Sequence, residues 1–200
     1  MTKRSFALLG LALALVGCGP LVQLGGNSPA PATLLVLRAA APPPAWAGPT
    51  PLAETLAVAV PDVPAELQTL RLPVQVGAAG VQYLAGASWT EQPNRQFQRL
   101  LADTLAGAGV PVLDTRSGTV SPARALTGHL REFGLDVRGG PVVRVRYDAQ
   151  LAGPRGGGTV ALRSFVAEEA VASQQPEAVA GALNRAANRL AVDVAAWVKG

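Results

Sequence analysis

Val143, Val145, Tyr147, Ala149 and Leu151 alternate with Arg144, Arg146, Asp148 and Gln150. Five apolar steps at a period of two specify a strand with one greasy and one charged face, and no helix can hide such a pattern. Just before it, Leu126, Gly128 and Leu130 alternate with Thr127, His129 and Arg131, and a Gly-rich connection at 153–158 leads to a third run through Val160, Leu162, Phe165 and Val166. Strands of this kind form an antiparallel sheet covered on a single side, so the chain must supply something to cover it.

Two helical patterns do so. Phe97, Leu100, Leu101 and Leu105 recur on one face of a 3.6-residue period, with Gln98, Arg99 and Asp103 opposite. Thr90 is the expected N-cap, Glu91 suits the positive end of the helix dipole, and Gly107 and Gly109 end the element. Val179, Leu183, Ala186, Ala187, Leu190, Val194 and Trp197 form the second apolar stripe, behind Pro176 and Glu177 in the first turn. Shorter runs at Thr33–Arg38, Glu54–Val60 and Val110–Leu113 read as strands. Leu70–Val76 reads as an irregular edge piece, because Pro73 lacks the N–H that a central strand needs. The expected fold is an α+β two-layer sandwich: a mostly antiparallel sheet of five or six strands with two amphipathic helices on one face. Aromatics make up only 4% of the chain, so Leu, Val and Ala must fill the core. Tyr83 and Trp89 then act as bulky anchors beside the first helix.

The N-terminal third divides differently. Lys3 and Arg4 precede an uncharged run too short to span a bilayer, and Leu15-Val16-Gly17-Cys18 follows. This is a secretory signal ending in a lipobox, so residues 1–17 are expected to be removed and Cys18 acylated. The residue after the cysteine is Gly19 rather than Asp, which favours outer-membrane sorting. Cys18 is the chain's only cysteine, so no disulfide can form within it. Residues 18–32 are a Gly/Pro/Ser tether and 33–200 the folded domain. Ala39–Pro51 is a Pro-rich loop in which Trp46 either covers a core edge or meets a partner.

Without Lys3 and Arg4, 15 basic face 13 acidic side chains, and they are scattered. That leaves no electrostatic footprint for nucleic acid. His129 is the only histidine and no Gly-x-Ser-x-Gly elbow is present, so the sequence supplies no Ser-His-Asp machinery. One histidine and no free thiol are a poor zinc set, and Gly153–Gly158 joins two strands instead of opening a helix. The adjacent carboxylates Glu168 and Glu169 point to opposite faces of a strand. The expectation is a non-enzymatic protein without a cofactor.

Several stretches, in order, carry a resemblance. They are the lipobox, Val81-Gln-Tyr83 with Trp89 and Phe97–Leu101, Leu130–Phe133, Val145–Leu151, Arg163–Phe165, and Ala182–Asn184 with Ala195–Val198. Together they resemble the ABC-type transport auxiliary lipoprotein family, which includes the paraquat-inducible protein C group. The long Ala/Pro loop, and Gly86-Ala-Ser88 before the tryptophan, depart from the family pattern. The resemblance implies a lipoprotein facing the periplasm from the outer membrane. Its implied partners are a mammalian-cell-entry (Mce) type substrate-binding protein and the ABC permease and ATPase of a lipid transport system. A surface including Tyr83 and Trp89, with Trp46 as a further candidate, would dock the Mce assembly. A structural or assembly lipoprotein that never handles lipid is the alternative, and self-association stays open.

Overall fold

The computed structural model describes residues 34–40, 44–45, 48–114, 120–153 and 158–200. Cys18 and Trp46 lie outside them, as do the signal segment and the tether. Strands are β1 (Leu56–Val58), β2 (Arg71–Gln75), β3 (Val81–Ser88), β4 (Val112–Leu113), β5 (Arg124–Asp136), β6 (Val142–Ala152) and β7 (Val160–Ala170). The helices are α1 (Pro93–Gly107) and α2 (Pro176–Lys199).

The alternating segment is β6, and it pairs antiparallel along its whole length with β5 on one side and β7 on the other. Its inward row, Val143, Val145, Tyr147 and Ala149, is buried. The far edge of β5 is shared. β1 runs parallel to its start, where Leu56 faces Arg124, and β2 runs parallel to its end, where Val74 faces Leu135. Between them Asp62 bridges to His129. β4 extends the sheet beyond β1, and β3 extends it beyond β2. The α+β two-layer architecture is as expected, with seven strands rather than five or six and with β1/β4, β1/β5 and β2/β5 parallel.

β2 corrects one expectation. It lies between β3 and β5 rather than at an edge, with Pro73 inside it. A register break falls between Arg71 and Pro73, the kind of irregularity at which a paired strand tolerates proline. Opposite, Gly134 lets the chain of β2 come close, since a Cβ there would sit 2.4 Å from the Pro73 carbonyl oxygen. A second correction concerns α1. It starts at Pro93 after Gln92, not at Thr90, because proline at the first helical position brings a preset φ and no orphan N–H. Glu91 pairs with Arg99 at 2.5 Å. The helix ends as expected: Gly109 takes φ +85°, its N–H donates to Ala106, and the Val110 N–H reaches back to the Leu105 carbonyl.

Both helices cover the same face of the sheet. Phe97 of α1 sits 5.4 Å from Tyr147 and 6.5 Å from Phe133, and Trp89 sits 5.7 Å from Phe133. Trp197 of α2 meets Phe165 edge-on at 5.6 Å. Thr33–Arg38 was expected as a strand, and its described part is an extended strap instead. Leu35 and Leu37 point into the core while Leu34, Val36 and Arg38 face out. The Leu35 N–H donates to Ser88 and its carbonyl accepts from Thr90. Side-chain amides of the helices hold the rest. The Leu37 N–H donates to Gln96 Oε1 at 2.8 Å, Arg38 to Asn184 Oδ1 at 2.8 Å and Ala40 to Asn188 Oδ1 at 2.7 Å.

Candidate docking surfaces

The helix-free face of the sheet is a charged lattice, because each inward apolar residue of β5 and β6 leaves a polar neighbour pointing out. Asp148 accepts from Arg131 at 3.0 Å, from Arg146 at 3.3 Å and from Ser164 at 2.8 Å. Burial works to raise the Asp148 pKa, but these three donors together hold it below the ordinary value. Asp136 takes a fork from Arg138, which lowers its pKa to about 2 against the cost of burial. Arg144 lies 2.7 Å from Glu168, 3.6 Å from Glu132 and 3.7 Å from Asp136. Arg131, Glu132, Asp136, Arg138 and Arg144 line a groove of about 230 Å³ over Phe133 and Gly134. Its guanidinium groups are already neutralised by carboxylates, so the groove offers no free cation for an anionic ligand.

Ser164, Asp148 and His129 stand in one cross-strand row. Here the carboxylate lies between the other two and accepts a hydrogen bond from the serine hydroxyl. Ser164 and His129 are two strands apart, roughly 9–10 Å at the usual strand spacing, beyond proton-transfer reach. The His129 ring instead faces Asp62 at 3.9 Å. Among the described residues, no group of three or more His, Cys, Asp or Glu could hold a metal ion.

The sequence candidates separate here. Trp89 is only 1% exposed, which removes its ring from any docking surface. A large apolar ring gains more in the core than at a rim, and burial at the end of β3 leaves its Nε1 donor without a partner among the described residues. Tyr83 is half-buried on β3 and remains at the surface. The Arg71 guanidinium lies 4.1 Å from its ring centroid, and its hydroxyl points to the Glu66 carbonyl at 3.5 Å. Among the described residues β3 pairs in register only with β2, so Tyr83 stands on an edge strand, and Val81–Ser88 carries no charge.

One surface escaped the sequence reading. β7 forms the opposite edge, and Val160, Leu162 and Val166 lie on its helix-free side, with Leu162 70% exposed. The signal was available in the phase: these three are at even positions, whereas Phe165 and Ala167, which are buried, are at odd ones. At the other end of β7, Glu169 turns inward to meet Arg189 and Arg185 of α2, which lower its pKa.

A profile described as ABC-type transport auxiliary lipoprotein component matches residues 35–195. The chain belongs to this family. The match spans every strand and nearly all of both helices. Among solved structures, protein XCC0632 from Xanthomonas campestris superposes with a TM-score of 0.70 at 21% identity, over 84% of this chain and 94% of that one. An uncharacterized protein superposes at 0.63 with 16% identity, over 73% and 92%. At these identities the likeness is one of fold. No curated protein matches the sequence. The family is one of lipoproteins that serve ABC transport, so the chain is an auxiliary lipoprotein of the cell envelope.

Proposed function

We propose that the protein is acylated at Cys18 after removal of residues 1–17 and held by residues 18–32 at the periplasmic face of the outer membrane. There its domain, 33–200, would dock the Mce-type substrate-binding protein of a lipid transport system, with ATP spent by the partner permease–ATPase. It does no chemistry of its own. The observation that carries this reading is the edge strand β3: its residues Val81–Ala87, Tyr83 among them, are uncharged and pair only with β2 among the described residues, the strap meeting β3 at Ser88, within a domain of a transport-auxiliary family. Natural proteins guard exposed edges with charge, so an uncharged edge is one that is meant to be met.

The test is co-purification of the mature lipoprotein with the neighbouring Mce protein. Tyr83→Asp should abolish capture while leaving the fold intact by circular dichroism. Capture unchanged by this substitution would refute docking through β3. Labelled palmitate should enter wild type and not Cys18→Ser, and density fractionation should place the wild type with outer membrane.

A second reading is favoured by β7. Its apolar row on a free edge suits a structural or assembly role, in which the domain binds an envelope protein or further copies of itself without handling lipid. Leu162→Lys losing the complex while Tyr83→Asp keeps it would select this reading.

A further inference from the structure

We infer that the outer surface of the helix layer, along the strap and α2, rests on the lipid bilayer that carries the anchor. The inference depends on the reading of Cys18 as acylated and adds which way the domain faces. Residue 34 is where the described domain begins, at the sheet edge where Leu35 bridges Trp89, and from there the strap passes to α2. From Leu34 the strap turns alternate residues outward, giving an exposed row of Leu34 (53%), Val36 (41%) and Arg38. The strap then follows α2: Arg38 is held by Asn184, and Ala40 by Asn188 one turn on. One turn further along the same helix is Val192, 58% exposed with no role in the core. Two apolar side chains on the strap, a third on the helix and a guanidinium among them form the composition of a shallow interfacial contact. The methyl groups enter the acyl boundary and the cation stays among phosphates.

The length of the tether supports the same occupant. Fifteen residues lie between Cys18 and Leu34, which limits their separation to roughly 55 Å even at full extension. A membrane surface is therefore held at high effective concentration beside the strap. The strap is held through its backbone, by Gln96, Asn184 and Asn188 and by Ser88 and Thr90, so this surface stays rigidly attached to the point where the tether arrives. On the opposite face, the lattice of Arg131, Arg144, Arg146, Asp136 and Asp148 would have to give up water on contact with a bilayer, a cost that ion pairing seldom repays, and the apolar row of Val160, Leu162 and Val166 at its β7 edge is the competing contact that a label at 162 reads. That lattice is left facing away from the membrane, toward protein partners.

The experiment uses full-length acylated protein reconstituted into phosphatidylethanolamine/phosphatidylglycerol vesicles. Val36→Cys, Val192→Cys and Leu162→Cys are each labelled with a nitroxide, and collision with a water-soluble nickel chelate and with oxygen is measured by electron paramagnetic resonance. Labels at 36 and 192 should lose nickel collisions several-fold and gain oxygen collisions on going from detergent to vesicles, while the label at 162 stays in water. Water-like collision at all three positions, or protection confined to 162, would overturn the orientation. Mass spectrometry of the N-terminal peptide separates the two layers. An acylated peptide with water-exposed labels defeats the orientation alone, whereas an unmodified Cys18 defeats the anchoring and the orientation with it.

Discussion

Replacing Trp89 distinguishes a core residue from a docking one, and the sizes of the effects follow from its surroundings. The ring is fully enclosed, tilted against Phe133 at 5.7 Å, and its indole N–H has no hydrogen-bond partner among the described residues. Trp89→Ala removes the whole ring and should cost about 3–5 kcal/mol, the usual range for a buried aromatic. For a domain of this size that is a fall of roughly 6–20 °C in Tm. Trp89→Phe is the informative variant. Shrinking indole to phenyl loses roughly 40 Å² of apolar contact, about 1 kcal/mol. It also deletes a buried orphan donor, whose desolvation costs about 1–3 kcal/mol. The two effects oppose each other, and Trp89→Phe should lie within about 1 kcal/mol of wild type. Urea unfolding of the domain, followed by circular dichroism, reads both variants, and capture by the Mce protein should be unaffected in Trp89→Phe. A cost of 3 kcal/mol or more for Trp89→Phe would show that the indole N–H makes a bond that the packing does not reveal (well above the ~1 kcal/mol expected from area alone). Lost capture with unchanged stability would return Trp89 to the docking surface.

Three further outcomes follow. Gly128→Ala should prevent folding of the domain or cost at least about 4 kcal/mol, because a Cβ there would sit 2.2 Å from the Asp148 carbonyl oxygen at a backbone φ of +152°; soluble yield and Tm report it. Asp136 is held at about 2 in the fold against an ordinary 3.8, so its contribution to stability is complete above about pH 4 and is lost as pH falls through 2. Asp136→Asn should therefore be less stable at pH 7 and show a flatter loss between pH 4 and 2 in acid titrations of Tm. Asn188→Ala removes an acceptor from the Ala40 N–H and a donor to the Arg38 carbonyl, and should cost about 1–2 kcal/mol; hydrogen exchange at Ala40 should speed up while that of β6 stays unchanged.

Much of this architecture is written locally. The period-two segment became β6, and the stripes from Phe97 and Val179 became the inward faces of α1 and α2, because a side chain's facing along one element follows from the geometry of that element alone. Helix starts were less legible: Thr90 has the chemistry of a cap, and Pro93 outcompeted it. β2 was misread for a related reason. A proline's cost depends on whether its nitrogen faces a partner, and the register break beside Pro73 is a property of two strands together.

The candidate surfaces show the same division. From the sequence alone it followed that one sheet face is charged, that Cys18 stands in a lipobox, and that Tyr83 and Trp89 precede the first helix. Only the tertiary structure decided that Trp89 is core and Tyr83 surface, that β3 and β7 stand at edges of the sheet, and that the strap runs beside α2 under the grip of Gln96, Asn184 and Asn188. Periodicity constrains a residue's direction relative to its own backbone. Whether that direction meets solvent, a neighbouring strand or a helix depends on contacts between segments far apart in the chain, such as Arg38 with Asn184, and no local pattern encodes them.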